Sequence, residues 1–172
     1  MKWNKGMTLI EILVYVALLG MIAVFVSNSL IQLSDVYQRA RADREVISNA
    51  RLVLEAVNKS VAQAQEIYTP TSRFNTNLGQ LSLATAIGAD ANHASAYADF
   101  YVDNGRFFTR QEGQGEAPIS ASSVKVDQFL LERVSMGVGR DAVKITLVVS
   151  SSRGKFSSST TLNSTTVVKG NY

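Results

Sequence analysis

The sequence predicts an α+β fold: a long N-terminal α-helix, with a membrane half and an amphipathic half, packed on a C-terminal antiparallel β-sheet domain. Three observations predict it. An apolar stretch from Met7 to Val26 is interrupted only by Thr8, Glu11 and Gly20. It runs without proline into an amphipathic segment that reaches Pro70. Beyond Pro70 the apolar residues change from helical spacing to alternation, punctuated by an Asn-Gly pair at 104–105.

The composition narrows the function classes. With 172 residues the chain holds one folded domain and an extended element rather than two full domains. The net charge of +3 is small and the basic residues are scattered, so no nucleic-acid or acidic partner is demanded. Cysteine is absent, which removes disulfides and thiolate metal sites, and His93 is the single histidine. Catalysis by His or Cys therefore has almost no residues to draw on, and the reading is a protein without catalytic, cofactor-binding or metal-binding residues.

The N-terminus holds the strongest signal. Lys2 and Lys5 precede the apolar stretch, which has about the length that crosses a ~30 Å hydrocarbon core as a helix. Flanking positive charge places the first residues in the cytoplasm and the rest of the chain outside. Three readings compete. A secretory signal peptide would be cut near Ser27 or Ser29. A plain single-pass anchor would be left whole. Neither explains Glu11, since an ionisable group inside a span marks function unless it snorkels to the interface.

The third reading uses every unusual residue. Lys5-Gly6-Met7-Thr8-Leu9-Ile10-Glu11, followed by the apolar run Ile12–Val26, resembles the prepilin processing motif of type IV pilins and type II secretion pseudopilins. The resemblance implies a leader, residues 1–6, cut after Gly6, with Met7 as the new, N-methylated N-terminus. Phe is usual at that place, so Met7 is a mild departure. Glu11 corresponds to the family's glutamate, which pairs with the N-terminal amine of a neighbouring subunit. Two buried charges that pair offset each other's desolvation, and removing one is costly. Cleavage also removes Lys2 and Lys5, lowering the side-chain net charge from +3 to +1.

The helix is expected from Thr8 to about Tyr68, within a 7–69 helical region whose 7–26 part spans the membrane. Leu33, Ala40, Ile47, Leu54 and Val61 recur every seven residues, with Val36, Ala50, Val57 and Ala64 beside them and Asp43 breaking the second row. Gln38, Arg41, Arg44, Glu45, Arg51, Glu55 and Lys59 lie opposite. This amphipathic stripe should cover a sheet rather than a coiled-coil partner, because of the Asp43 break and the small alanines. Thr69-Pro70 should end it. Gly20 locally weakens the membrane half. Filament-forming relatives carry a glycine there and a proline one to two turns later, and Asn28 stands where that proline would be.

Residues 70–172 are expected to form the sheet domain. Gln80–Ala84 reads as a short strand, and Ala84–Ala98 as a loop or short helix. Phe100 to Phe108 reads as a hairpin whose Asn104-Gly105 turn places Val102 opposite Phe107 and Asp103 opposite Arg106 as a charge pair. Gln111–Pro118 reads as a polar loop. Val124–Leu131 and Val143–Val149 read as strands, and Arg153-Gly154-Lys155 as a turn into a Ser/Thr-rich strand over Phe156–Lys169.

The layout is similar to that of J-type minor pseudopilins and PilW-like minor pilins, with Leu54-Glu55-Ala56-Val57 and Gln63-Ala64-Gln65-Glu66-Ile67 resembling the end of their long helix. The family implies the prepilin peptidase, other pilins or pseudopilins, an inner-membrane platform protein and the inner membrane as partners. It implies a single pass with the N-terminus cytoplasmic and the C-terminal domain periplasmic or extracellular. A major pilin, and an adhesive or DNA-binding minor pilin, stay open beside the minor-subunit reading. From a different class, a secreted or anchored domain with an unrelated binding role stays open too.

The remaining motifs are weaker. Nucleic acid would have to be met by Arg73, Arg106, Arg110, Arg140 and Arg153, which form no run. Asp90 and Asn92 offer two oxygens to calcium without a third. Gly113-Gln114-Gly115 and Gly137-Val138-Gly139 lack the strand-turn-helix setting of a phosphate cradle. Asn163-Ser164-Thr165 fits a glycosylation triplet, which arises easily by chance in such a strand.

Overall fold

A computed structural model describes residues 8–86, 95–135, 141–153 and 155–169. The chain is one helix followed by antiparallel strands, as expected. Helix α1 spans Leu9–Gln63. The strands are β1 (Glu66–Ile67), β2 (Leu81–Thr85), β3 (Ala96–Asp103), β4 (Arg106–Gln111), β5 (Gly115–Pro118), β6 (Lys125–Ser135), β7 (Asp141–Arg153) and β8 (Phe156–Val167). They form two sheets, ordered β1-β2-β3-β4-β5 and β6-β7-β8, with every pair antiparallel. The chain divides into two compact units, residues 1–40 and 41–172.

In the first unit the described residues are helical from Leu9 and solvent-exposed apart from half-buried Asp35. The second unit contains the rest of α1 and both sheets around one core. Ala42, Val46, Ala50, Val53, Val57, Val61 and Ala64 are buried. Their steps of three and four residues average close to the true helical repeat, so the stripe runs straight along the helix. Against it lie Leu81 and Leu83 of β2, Phe107 of β4, Phe129 and Leu131 of β6, and Ile145 and Leu147 of β7. Phe107 and Phe129 meet edge to face at 4.9 Å between ring centroids, joining one sheet to the other at the centre of this core.

The seven-residue row of the sequence reading departs from this stripe. Val61 is fully buried, Leu54 is 8% exposed and Ile47 is already 39% exposed. A strict heptad drifts by about 20° per repeat around a straight helix, so the row leaves the core within two repeats. Leu33, Val36 and Ala40, in the first unit, are exposed. Glu45, expected on the solvated side, is half-buried, and its carboxylate accepts a short hydrogen bond from Ser123.

The helix also ends earlier than expected. Its last turn tightens as the Ala64 amide donates to Val61 O (3.2 Å), and the Gln65 amide then donates to Ala84 O (2.8 Å). Glu66–Ile67 thereby joins the edge of β2, with Glu66 opposite Ala84. Sheet hydrogen bonds thus draw the backbone out of the helix well before Pro70 can stop it.

The hairpin has the expected register, Val102↔Phe107 and Asp103↔Arg106, with positive φ at Asn104 (48°) and Gly105 (75°). A Cβ at Gly105 would lie 2.9 Å from Lys125 Cγ, so the turn needs glycine for room as well as for backbone. The opposed charges do not bond: Asp103 accepts from Asn104 Nδ2 (3.0 Å), and the Arg106 guanidinium lies over the Phe108 ring. Gln111–Pro118, expected as a loop, contains the edge strand β5, reached through positive-φ Gly113 and Gly115. Ala96–Ala98 belongs to β3, while 87–94 lies outside the described residues. Strands β6 and β7 are longer than their apolar centres suggested.

The loop after Pro70 has a structural task. The amides of Asn75 and Gly79 donate to Leu131 O and Phe129 O of β6, each at 2.8 Å, and Asn77 Nδ2 reaches Asp127 O. A Cβ at Gly79 would come within 2.6 Å of the Arg73 carbonyl oxygen. The loop therefore covers the free edge of β6.

The helix stripe yields a direct test. Val57→Asp should cost several kcal/mol, on the order of the whole stability margin, by burying an unpaired carboxylate. Ile47→Asp should cost about 1 kcal/mol or less, because the side chain already meets solvent. Thermal melting of the full chain in detergent micelles should place the two variants far apart, and the reverse order would refute the assignment of the buried face.

Candidate functional site

The site to be tested is the start of the helix. Lys2, Lys5, Gly6 and Met7 lie outside the described residues, which begin at Thr8. Thr8 caps α1: its Oγ1 accepts from the Glu11 amide at 3.4 Å, and its carbonyl accepts from the Glu11 and Ile12 amides at 3.1 and 3.2 Å. Thr8-Leu9-Ile10-Glu11 thus has the spacing of a capping box, with Thr8 at the cap and Glu11 three residues on. Sequence reading treated Thr8 as an interruption; the signal that identifies it is a hydroxyl three residues before a carboxylate at a helix start.

Glu11 is exposed in the first turn, where a carboxylate also complements the helix dipole. It is the one charged residue between Thr8 and Ser34. Around it Leu9, Ile10, Ile12 and Leu13 are all at least half exposed, and apolar side chains continue on every side of the helix through Val26. A helix apolar all round and uncovered by its own chain belongs in a membrane or inside a bundle. By length and composition this part of α1 is able to cross a membrane. The Ser27 and Ser29 hydroxyls donate within the helix, to Ala23 O (2.8 Å) and Phe25 O (2.9 Å). The helix passes unbroken through Gly20 and Asn28, and a Cβ at Gly20 would meet nothing within 4 Å.

Residues 4–27 match the family described as the prokaryotic N-terminal methylation motif. The chain carries a type IV pilin-like prepilin signal. Such a signal marks a prepilin-processed protein, cut by prepilin peptidase and assembled with other pilins. Together with the apolar helix it fits a membrane-anchored, pilin-like protein. Neither a curated protein nor a solved structure matches the chain.

The other candidate residues of this pilin-like chain are dispersed. His93, Asp90, Asn92, Arg140 and Gly137–Gly139 lie outside the described residues. Among the described residues, no three His, Cys, Asp or Glu side chains come together as a metal site. Arg106 and Arg110 share the outer face of the first sheet, each directly opposite a carboxylate residue, Asp103 and Asp99. Arg73 sits in the loop that bridges to Gln80, and Arg153 ends β7.

On that same outer face Tyr101 stacks on Phe108 at 6.0 Å. Partial burial pushes its phenol above the ordinary value, and a hydrogen bond to Glu116 of β5 with that carboxylate's charge adds to the rise. A phenol raised on folding stabilises the fold fully below the unfolded value near 10 and loses that contribution as pH climbs through the folded value. Tyr101 should therefore ionise late in an ultraviolet phenolate titration. Glu116→Gln should lower its midpoint only in part, since burial, the larger cause, remains. An unchanged midpoint would show that the two residues do not interact.

Proposed function

We propose that the chain is a minor subunit of a type II secretion pseudopilus or type IV pilus, a structural rather than catalytic protein. Prepilin peptidase removes residues 1–6 after Gly6, and Met7 becomes the N-methylated N-terminus. The helix then holds the subunit in the inner membrane, with its start in the cytoplasm and residues 70–172 in the periplasm or outside. An inner-membrane platform protein and other pilins or pseudopilins take it into the filament, where the helix lies in the core. The observation that carries this reading is one carboxylate, Glu11, inside the processing signal and in an otherwise uncharged apolar helix start.

The role of Glu11 follows from electrostatics. Inside a bundle of such helices, its carboxylate sits within reach of a neighbour's Met7 amine, and each charge offsets the other's desolvation. The Thr8 cap on the Glu11 amide is a second, purely local contact, and glutamine keeps it because the donor is the backbone N–H. Glu11→Gln therefore separates the two: it keeps the cap and loses the charge.

Intact mass and N-terminal sequencing of the membrane form should give N-methyl-Met7, whereas a start at Leu30 would mean an ordinary signal peptide. A bulky residue at Gly6 should leave the leader attached while insertion survives. Glu11→Gln should still be cleaved, yet its incorporation into sheared filaments or cross-linked minor-subunit complexes should fall by more than about tenfold, because one partner of a low-dielectric pair is lost. Normal incorporation would remove the charge-pairing role and leave only the cap.

A further inference from the structure

Between Leu9 and Val26 only two side chains carry an oxygen or a nitrogen atom, Glu11 and Tyr15. They stand four residues apart on α1, so they are neighbours on one helix face with Cβ atoms about 5–6 Å apart. Both are uncovered by the chain, Tyr15 being 54% exposed. Glu11 has a contact through its amide and a proposed one through its charge. The phenol of Tyr15 is the polar group of this segment that has no role.

Depth decides what that phenol meets. With Met7 at the membrane boundary, a rise of ~1.5 Å per residue sets the Cα of Glu11 about 6 Å and that of Tyr15 about 12 Å into a hydrocarbon layer roughly 30 Å thick. Side chains on a helix lean toward its N-terminus. Extended that way, the Tyr15 hydroxyl climbs about one turn and reaches the level of Glu11, still short of water. A buried phenol takes a hydrogen-bond partner. The helix backbone does not supply one. The Ser27 and Ser29 hydroxyls, one bond beyond Cβ, reach carbonyls one turn back. The para-hydroxyl of Tyr15 sits at the far end of a rigid ring and cannot fold back onto its own helix. The nearest acceptor is the Glu11 carboxyl group, whose two oxygens take several donors at once.

On the membrane placement proposed above, we infer that Tyr15 is a positioning residue for Glu11: its hydroxyl donates a hydrogen bond to the Glu11 carboxyl group one turn earlier on the same helix. The bond satisfies the phenol and restricts the rotamers of Glu11, holding its oxygens over the helix face that carries Tyr15. A hydrogen bond to an ionised acceptor is roughly twice as strong as one between neutral groups. A neighbour's Met7 amine then meets a carboxylate that is already aimed, with an oxygen lone pair left for it. Leader cleavage takes place at Gly6 and does not involve this contact.

Infrared spectra of the processed chain in lipid vesicles test the contact before any assembly. The Glu11 carboxyl band is the one lost in Glu11→Leu, and the Tyr15 phenol C–O band is the one lost in Tyr15→Phe. Tyr15→Phe keeps the ring and removes one oxygen, so the helix and its insertion survive; it should shift the Glu11 band, and Glu11→Leu should shift the Tyr15 band in return. Tyr15→Phe combined with Val16→Tyr keeps a phenol in the segment but turns it about 100° further around the helix, and should not restore the Glu11 band. Where Glu11→Gln is defective in incorporation, Tyr15→Phe should lose at least about threefold, as one charge-assisted hydrogen bond is removed. An unmoved Glu11 band in Tyr15→Phe, a band restored by the phenol at position 16, or full incorporation of Tyr15→Phe beside a defective Glu11→Gln would each overturn the inference. The charge pair with Met7 fails by a different result, normal incorporation of Glu11→Gln, and the two bands still report the Tyr15 contact in that case.

Discussion

The buried stripe from Ala42 to Ala64 is the contact on which the second unit depends. Two sheets of five and three strands share no strand, and each has an apolar face that must be covered. One helical face of valines and alanines covers both, and Phe107 against Phe129 fills the seam between them. Small side chains at Ala42, Ala50 and Ala64 let the helix backbone approach, while Val46, Val53, Val57 and Val61 supply the apolar area. Polar anchors set the helix in register over that core: Glu45 to Ser123, Asn49 Oδ1 to the Ala121 amide, and Asn58 to Ser164 and Thr166.

The same helix begins under the opposite rule. From Leu9 to Val26 it offers apolar surface on all sides, and its side chains are exposed among the described residues. The backbone is satisfied internally, the serines donate to their own helix, and the cap at Thr8 meets one of the free amides. What is left is a single carboxylate. In such surroundings a charge either finds a counter-charge or stays at the water boundary, and that choice gives the assembly proposal its physical content.

Much of the architecture was legible in the residues because local chemistry dictates it. The Asn104-Gly105 pair fixes a two-residue turn, and with it the whole register of β3 and β4. Alternation in 143–149 specifies a strand with one buried face. The processing signal is likewise local, since a basic leader, a glycine and a carboxylate at fixed distance in an apolar run are all neighbours in sequence. By contrast, β1 has two residues and β5 four, too few for any period to show, and both exist because a neighbouring strand offers hydrogen bonds.

The sequence by itself determined the helix, the antiparallel class, the central hairpin and the prepilin signal, each written in contacts between residues close along the chain. Tertiary structure decided what depends on distant partners. It chose which helical face is buried, because a heptad row and a straight helix diverge within two turns of the repeat. It ended the helix at Gln63, because β2 competes for the backbone of Glu66–Ile67. It left Asp103 and Arg106 opposite each other but unbonded, with Asp103 accepting from Asn104 and the Arg106 guanidinium over the Phe108 ring. It also covered the outer edge of β6 with the 75–79 loop, a contact that no local pattern encodes because it joins residues about fifty positions apart.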